Sequence, residues 1–540
     1  MIRPLAVHCL LLFGVAAIVA THRSAYAQPG SSRTVGVTAN DHANMPETSD
    51  QLVPMDLHTL QAMVLRSNTD VLVRQQDVSL AREQIGIERA AFDPNFFGRW
   101  NGQRGATPSA QSSERPLGPK NTGDAQFAIA KRTQRGTRVE LGGNYQMLRS
   151  ESTGSLLNPE HQTFGYLSVT KPLLRGAGLF YNRGNIMLAS QFQEITDQRW
   201  QRLVLERLQE AEALYWQFFL RHENWRDLDA IFVLADQLEQ YAKLSFEKGL
   251  TSELEYARAR AVVASRKMRL LDAANQAILA ENDLKAVSNH QDATVGPTEV
   301  WIPRERPVVL QTEFVPEDEI FTGLQNRSDF QAAIVSLQRQ KVQVELAKRN
   351  LRPFLDLEAG LSSRSLGGGD AEVRDSDGNP VLSPYLGSIG DALQRMTWRD
   401  GAVWNVGVIV RFPYAYREER SIVRQRLAVV RQEMETMIRI ERNIIREVRT
   451  ALRLIENGFL RVEQARIQRE MTQTVYDKVF EAMKLGEADI KRVVDALDEL
   501  AEAKIEENRA VTEYIQYLTG LERANGTYLT NRGFSLAELP

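Results

Sequence analysis

The sequence predicts a mainly α-helical chain with a membrane β-barrel portion, assembled from two internal structural repeats. Three observations lead there. Asn185 to Lys248, 64 residues, contains no Gly or Pro, and as straight helix it would reach about 96 Å at ~1.5 Å per residue. Elsewhere the helical period gives way to alternation, most clearly where Trp404, Val406, Val408, Val410 and Phe412 interleave with Asn405, Gly407, Ile409 and Arg411. Finally, the chain copies itself: Asp70 and Asp329, and Pro94 and Pro353, are both 259 residues apart.

Composition narrows the function classes. The 540 residues carry 66 Lys+Arg against 69 Asp+Glu, a balance that argues against a nucleic-acid partner. The seven His are scattered without ligand spacing, so no metal site and no cofactor is expected. No nucleophile constellation or phosphate loop stands out, so an enzyme is not expected.

Residues 1–27 have the form of a secretory signal: Arg3, an apolar core from Val7 to Ala20, then Ala25-Tyr26-Ala27. The single cysteine, Cys9, lies inside it. Residues 28–54, rich in Ser, Thr, Asn and Asp, are expected to be a flexible arm.

The first repeat covers residues 55–300. A short helix starts at the cap residue Asp56 and ends before Asp93-Pro94. Barrel strands follow over about 95–172. Phe96, Gly98 and Trp100 alternate; so do Phe127 with Ile129, and Val139, Leu141, Gly143, Tyr145 and Met147. Residues 104–123 and 149–162 are expected to be loops. The long helical hairpin spans 182–289. Leu214, Phe218, Trp225, Leu228, Phe232, Ala235, Leu238 and Ala242, with Arg221 as the one polar exception, step by fours and threes down its first arm, the period of helices packed side by side. Gly249 marks the tip. The returning arm carries Leu254, Ala257, Ala261, Ala264, Met268, Leu271 and Ile278 on one stripe, expected to face the first arm.

A proline-rich linker, 301–316, separates this from the second repeat, 317–525. That repeat reads short helix, barrel strands over about 354–413 with a long polar loop at 363–400, and a second helical hairpin over 417–519 with its tip at Gly486. Residues 526–540 form a short polar tail. Asp375-Ser376-Asp377-Gly378-Asn379 lacks the glutamate that would complete a calcium loop and is expected to be a solvated turn.

Strands with one apolar face, aromatics at their ends and polar loops between them suit an outer-membrane barrel. A lone sheet would leave unpaired edges in lipid, which is not tolerated, so several chains should share one barrel. Trp404, Val406, Val408, Val410 and Phe412 are expected to face lipid.

Taken together, the signal, the duplicated half, the junction Val169-Thr170-Lys171-Pro172-Leu173-Leu174-Arg175-Gly176 and the Gly249 and Gly486 tips resemble the TolC family of outer-membrane efflux proteins, over roughly residues 55–525. The resemblance implies a homotrimer: one open barrel in the outer membrane of a Gram-negative-type envelope, continued by an α-helical tunnel across the periplasm. It implies a passive exit duct of a tripartite efflux or type I secretion system, with a periplasmic adaptor protein and an inner-membrane pump as partners. It further implies a tunnel constriction after the second tip, where Asp495 fits the family's acidic position, Arg492 stands one turn earlier and Asp498 one turn later. Adaptor contacts would fall at Phe246, Lys248, Gly249, Leu250, Thr251, Lys484, Leu485, Gly486 and Glu487. The chain departs from the family in two respects: Arg492 stands where the family can carry a second acid, and the first half has room for four strands instead of two. The competing reading is a periplasmic coiled-coil scaffold or adaptor without a pore, which would have no use for the Trp404-to-Phe412 stripe.

Overall fold

The computed structural model describes residues 51–105, 120–150, 155–290, 299–396 and 402–534. The signal segment with Cys9, most of the arm and the last six residues lie outside these.

The two longest helices form where the sequence has no Pro and, inside them, only Gly458 as a Gly. A helical turn, α3 (Leu179–Asn182), leads into helix α4, Gly184–Glu247, which is 64 residues long; α9, Arg417–Lys484, is 68. Each returns through a short turn into a 35-residue helix, α5 (Glu253–Val287) and α10 (Ile490–Ala524). On α9 the four-three rhythm predicts one stripe from Val430 through Met434, Met437, Glu441 and Ile444 to Ala465; the structure buries Ile444, Val448, Ala451, Ile455, Gly458, Val462 and Ala465, while Met434 is exposed and Val430, Met437 and Glu441 are half-buried. Gly458 accommodates the rings of Tyr517 and Tyr514, so a side chain here would push two helices apart.

On α5 the expected stripe is corrected. Leu254, Ala257, Ala261, Ala264, Met268, Leu271 and Ile278 are all exposed, while Ala259, Arg266, Leu270, Ala273, Ala277, Ala280 and Leu284 are buried. Both faces of this helix are small and apolar, so periodicity alone identifies two seams without ranking them.

The expected short helices are each broken in two: α1 (Leu57–Ser67) and α2 (Thr69–Ala90) ahead of the first long hairpin, α6 (Pro316–Asn326) and α7 (Ser328–Arg349) ahead of the second. The breaks fall at Asn68 and Arg327, two residues before Asp70 and Asp329. Asn68 adopts extended backbone and accepts hydrogen bonds from the Asp70 and Val71 amides, ending one helix and capping the next. Arg327 does the same with backbone geometry alone, and its guanidinium bridges Asp329 (2.7 Å) and Glu447.

Two further expectations change. The last arm residues form strand β1 (Gln51–Met55), which pairs in parallel with β6 (Glu299–Pro303) at the start of the linker. Met55 and Trp301 are buried there. The tail begins with a helical turn, α11 (Tyr528–Asn531), whose Tyr528 is fully buried and donates to Glu212 at 2.6 Å. Arg532 meets the same carboxylate at 2.7 Å, so a buried acid fixes the start of a segment whose composition looks polar.

The strands are β2 (Asn95–Gly105), β3 (Lys120–Arg132), β4 (Arg138–Ser150), β5 (Leu157–Pro172), β7 (Phe354–Asp370) and β8 (Ala402–Arg411). They form one antiparallel sheet in the order β2-β3-β4-β5-β7-β8, with β2 and β8 at its two free edges. The strands reach further into the expected loops than alternation indicated, since Gly and Ser residues pair there. Between β7 and β8 the expected loop holds a short capped helix, α8 (Ile389–Arg395).

Candidate duct wall, constriction and tips

The register decides which sheet residues share a face. Phe96 pairs with Ile129, Ile129 with Leu141, Leu141 with Leu167, Leu167 with Leu361, and Leu361 with Trp404. One apolar row therefore crosses all six strands. Residues two apart lie on the same face, which adds Val139, Val169, Ala359, Val406, Val408 and Val410. Trp404, Val406, Val408, Val410 and Phe412 are all exposed, with Trp404 at 75%. Trp404 and Phe412 are eight residues apart, ~27 Å along a strand. At a tilt of ~40° that spans ~20 Å across a membrane, close to the height of a lipid-facing band.

The opposite face is polar. Tyr166 donates to Glu140 at 2.7 Å, Arg138 pairs with Glu140 at 3.1 Å, and Asn101 donates to Asp124 at 3.1 Å. Glycines let aromatic rings lie flat over the sheet: an added Cβ at Gly143 would strike the Phe127 ring on the apolar face, and one at Gly142 the Tyr166 ring on the polar face. Among the described residues no helix is long and apolar enough to cross a membrane.

The two hairpin tips are built alike. Gly249 and Gly486 have φ of +72° and +80°, the left-handed conformation that ends helices. Leu250 N–H donates to Ser245 O at 2.9 Å, and Glu487 N–H to Ala482 O at 2.9 Å. Three residues after each glycine a side chain caps the return helix: Ser252 accepts from the Glu255 amide (3.3 Å) and Asp489 from the Arg492 amide (3.1 Å). This geometry leaves Leu250 and Leu485 more than three-quarters exposed at the two ends. Lys248, Lys484 and Glu487 are exposed and Thr251 half-buried. Phe246 stacks on Tyr256 at 5.7 Å, and the Lys484 ammonium lies 4.4 Å from the Phe480 ring centre.

The tip ends of the two hairpins share one core. Ile231, Ala235, Leu238 and Ala242 of α4 pack with Tyr476 and Met483 of α9 and with Val493, Leu497 and Leu500 of α10. Burial pushes the Tyr476 phenol up to about 12. Polar ties cross the same seam: Lys504 lies 3.3 Å from Asp227, and Asn508 donates to Asp227 at 2.7 Å.

The three constriction candidates have different surroundings. Asp495 is exposed on α10 and has no ion-pair partner among the described residues. Arg492 is exposed and stands 3.9 Å from Asp489, one turn back on its own helix. Asp498 is tied to the other hairpin: Arg266, 3% exposed, bonds its carboxylate directly, and Arg269 stands at 3.4 Å. Sequence reasoning missed Arg266. The available signal was a cation among the small apolar residues Ala259, Leu270, Ala273 and Ala277 of α5, since a charge enters such a face only with a partner.

Among the described residues no cluster of His, Cys, Asp or Glu could hold a metal ion. The Asp375 carboxylate instead accepts from the Asp377 and Asn379 amides at 3.0 and 2.8 Å, closing an exposed turn.

The sequence matches no protein-family model and no curated protein. Solved structures do match. The Campylobacter jejuni CmeC outer membrane channel is 15% identical over 94% of this chain and 99% of its own, with a TM-score of 0.61. CusC, solved in a study of its folding and transmembrane channel formation, is 14% identical over 93% and 99%, with a TM-score of 0.61. The open state of the Neisseria gonorrhoeae MtrE outer membrane channel is 14% identical over 93% and 98%, with a TM-score of 0.57. The chain has the fold of TolC-like outer-membrane channels.

Proposed function

We propose that this chain is one subunit of an outer-membrane exit duct with a periplasmic extension in a Gram-negative-type envelope. Three copies share a β-barrel, and their helices form the wall of a tunnel. The observation that carries this is the incompleteness of the single chain. Its sheet has an unbroken apolar row on one face, a polar opposite face and two free edges. A six-stranded sheet with free edges has no stable place in lipid; edge-to-edge pairing of β8 with the β2 of a second copy removes both edges and keeps the antiparallel alternation.

The helices are unfinished in the same sense. The exposed α5 stripe from Leu254 to Ile278 is small and apolar, and α9 exposes Leu460, Ile467 and Met471, seven and four residues apart, on its lower half. Stripes of this kind bury each other between copies. Nothing in the fold favours a pore-free scaffold, for which the lipid-facing stripe has no role.

The duct conducts passively and catalyses nothing. The paired tips, with Leu250 and Leu485 outermost, are the contact surface for a periplasmic adaptor, which couples the duct to an inner-membrane pump. Asp495, brought in three copies near the axis, attracts cations; Arg492 beside it weakens that field. Asp498, held by Arg266 and Arg269, contributes to hairpin packing more than to the constriction.

Single-channel recording of the purified mature protein in planar bilayers tests this. A small cation-selective current is expected, with selectivity reduced in Asp495→Ala and increased in Arg492→Ala. Folded protein that gives no current, even after both tips are removed, would refute a duct.

A further inference from the structure

The two repeats contribute unequally to the sheet. In the second repeat β7 and β8 pair directly and lead into α9. In the first, β2 and β5 occupy the corresponding places, and β3 and β4 are inserted between them. We infer that this inserted hairpin is part of the barrel wall, so that the assembled barrel has eighteen strands and an outer-membrane lumen wide enough for a hydrated cargo ~20 Å across. The inference rests on the three-copy reading above.

Three observations place the hairpin in the wall and not across the lumen or outside the membrane. Its pairing is complete on both sides: β3 is in register with β2 from Lys120 to Ala130, and β4 with β5 from Arg138 to Leu148. The apolar row passes through it at Ile129 and Leu141, and the polar face passes through it at Asp124 and Glu140. A plug would reverse or lose that polarity. Its turn is anchored at the strand-to-helix junction: Arg132 donates to Asn182 at 2.6 Å, Gly178 N–H donates to Arg135 O at 3.2 Å, and Gly136 (φ +96°) packs against Gly176 and Asn182. At the far end, the connection containing α8 folds onto the apolar side of the sheet. An added Cβ at Gly367 would strike Ala392, and one at Gly165 would approach Met396; both glycines belong to the apolar face by register.

Strand number sets barrel size. At ~4.8 Å between strands and a tilt of ~40°, eighteen strands close at a backbone diameter of ~36 Å, against ~24 Å for twelve. After inward side chains are subtracted, the lumen is ~25 Å wide in the first case and ~13 Å in the second. A wall of this size does not sieve small solutes. Size selection then falls to the helical tips, and the outer-membrane section passes bulky hydrophilic cargo.

The test compares wild type with a variant in which residues 106–150 are replaced by a short turn, joining β2 to β5. Because β2 and β5 run antiparallel, the deletion preserves alternation. Polyethylene glycols of graded size, added from the strand-end side, are scored for entry by their effect on single-channel current. Polymers ~20 Å across are expected to enter the wild-type mouth and to be excluded from the variant. Equal cut-offs in two correctly assembled trimers would overturn the inference. Single-particle imaging of the wild type in lipid gives an independent count: eighteen wall strands support it, and twelve with the hairpin outside the wall overturn it even where the variant fails to fold. A particle count other than three copies would fail the duct reading itself, a separate outcome.

Discussion

Replacing Arg266 with Ala tests how the two hairpins hold together at the tip end. The guanidinium is 3% exposed and bonds Asp498 across the α5–α10 seam. Removing one partner of a fully buried ion pair costs about 3–5 kcal/mol. The cost is smaller here, because Asp498 is 38% exposed and keeps Arg269 at 3.4 Å; about 2 kcal/mol remains, of which part is lost packing of the long side chain. Since ~1.4 kcal/mol is tenfold, amide exchange that proceeds by local opening of residues 255–275 and 490–505 should quicken about 30-fold. Arg269, 51% exposed, is the internal control: its alanine variant should change exchange by less than about fivefold, the range of surface pairs. Hydrogen-exchange mass spectrometry of the assembled protein reads both. Equal effects of the two substitutions, or an Arg266→Ala effect spread over the whole chain, would refute the reasoning that one buried pair ties the hairpins locally.

Other consequences follow from the same geometry. Gly249→Ala and Gly486→Ala meet open space, so their only cost is the left-handed backbone, about 1–2 kcal/mol each; exchange should speed about tenfold in the last turn of α4 or α9 and nowhere else. Tyr476 is pushed up from 10 to about 12 by burial. A raised pKa stabilises fully below the unfolded value and less as pH climbs through the folded one, so thermal stability should fall between pH 10 and 12 more steeply in wild type than in Tyr476→Phe. Parallel pH profiles would show that the phenol carries no such coupling.

Much of the architecture was legible because it depends on local signals. The Gly- and Pro-free run forecast α4 to within a residue at each end, and the tips followed from Gly249 and Gly486. The alternation around Phe127 and Val139 disclosed the extra hairpin. What escaped depends on partners far along the chain. Asn68 reads as a helical residue until its side chain is seen capping the next helix. The α5 stripe was assigned to the wrong neighbour, since a helix with two apolar faces does not say which one its own chain covers. Asp498 reads from the sequence as a constriction candidate, because Arg266, which ties it to the other hairpin, lies 232 residues away. Tyr528 and Arg532 looked like tail residues, and only the buried Glu212 explains their fixed place.

The account stands on three copies closing one barrel through the edges β2 and β8. Cysteine pairs placed on the polar face, Arg99 or Asn101 of β2 with Asn405 or Gly407 of β8, test it most directly in a Cys9→Ser background. Under mild oxidation in membranes, at least one pair should give covalent species of two and three chains and none larger, while a cysteine at Asn144 of the interior strand β4 gives none. Single-chain bands for every pair, or a ladder that continues past three, would contradict the shared barrel.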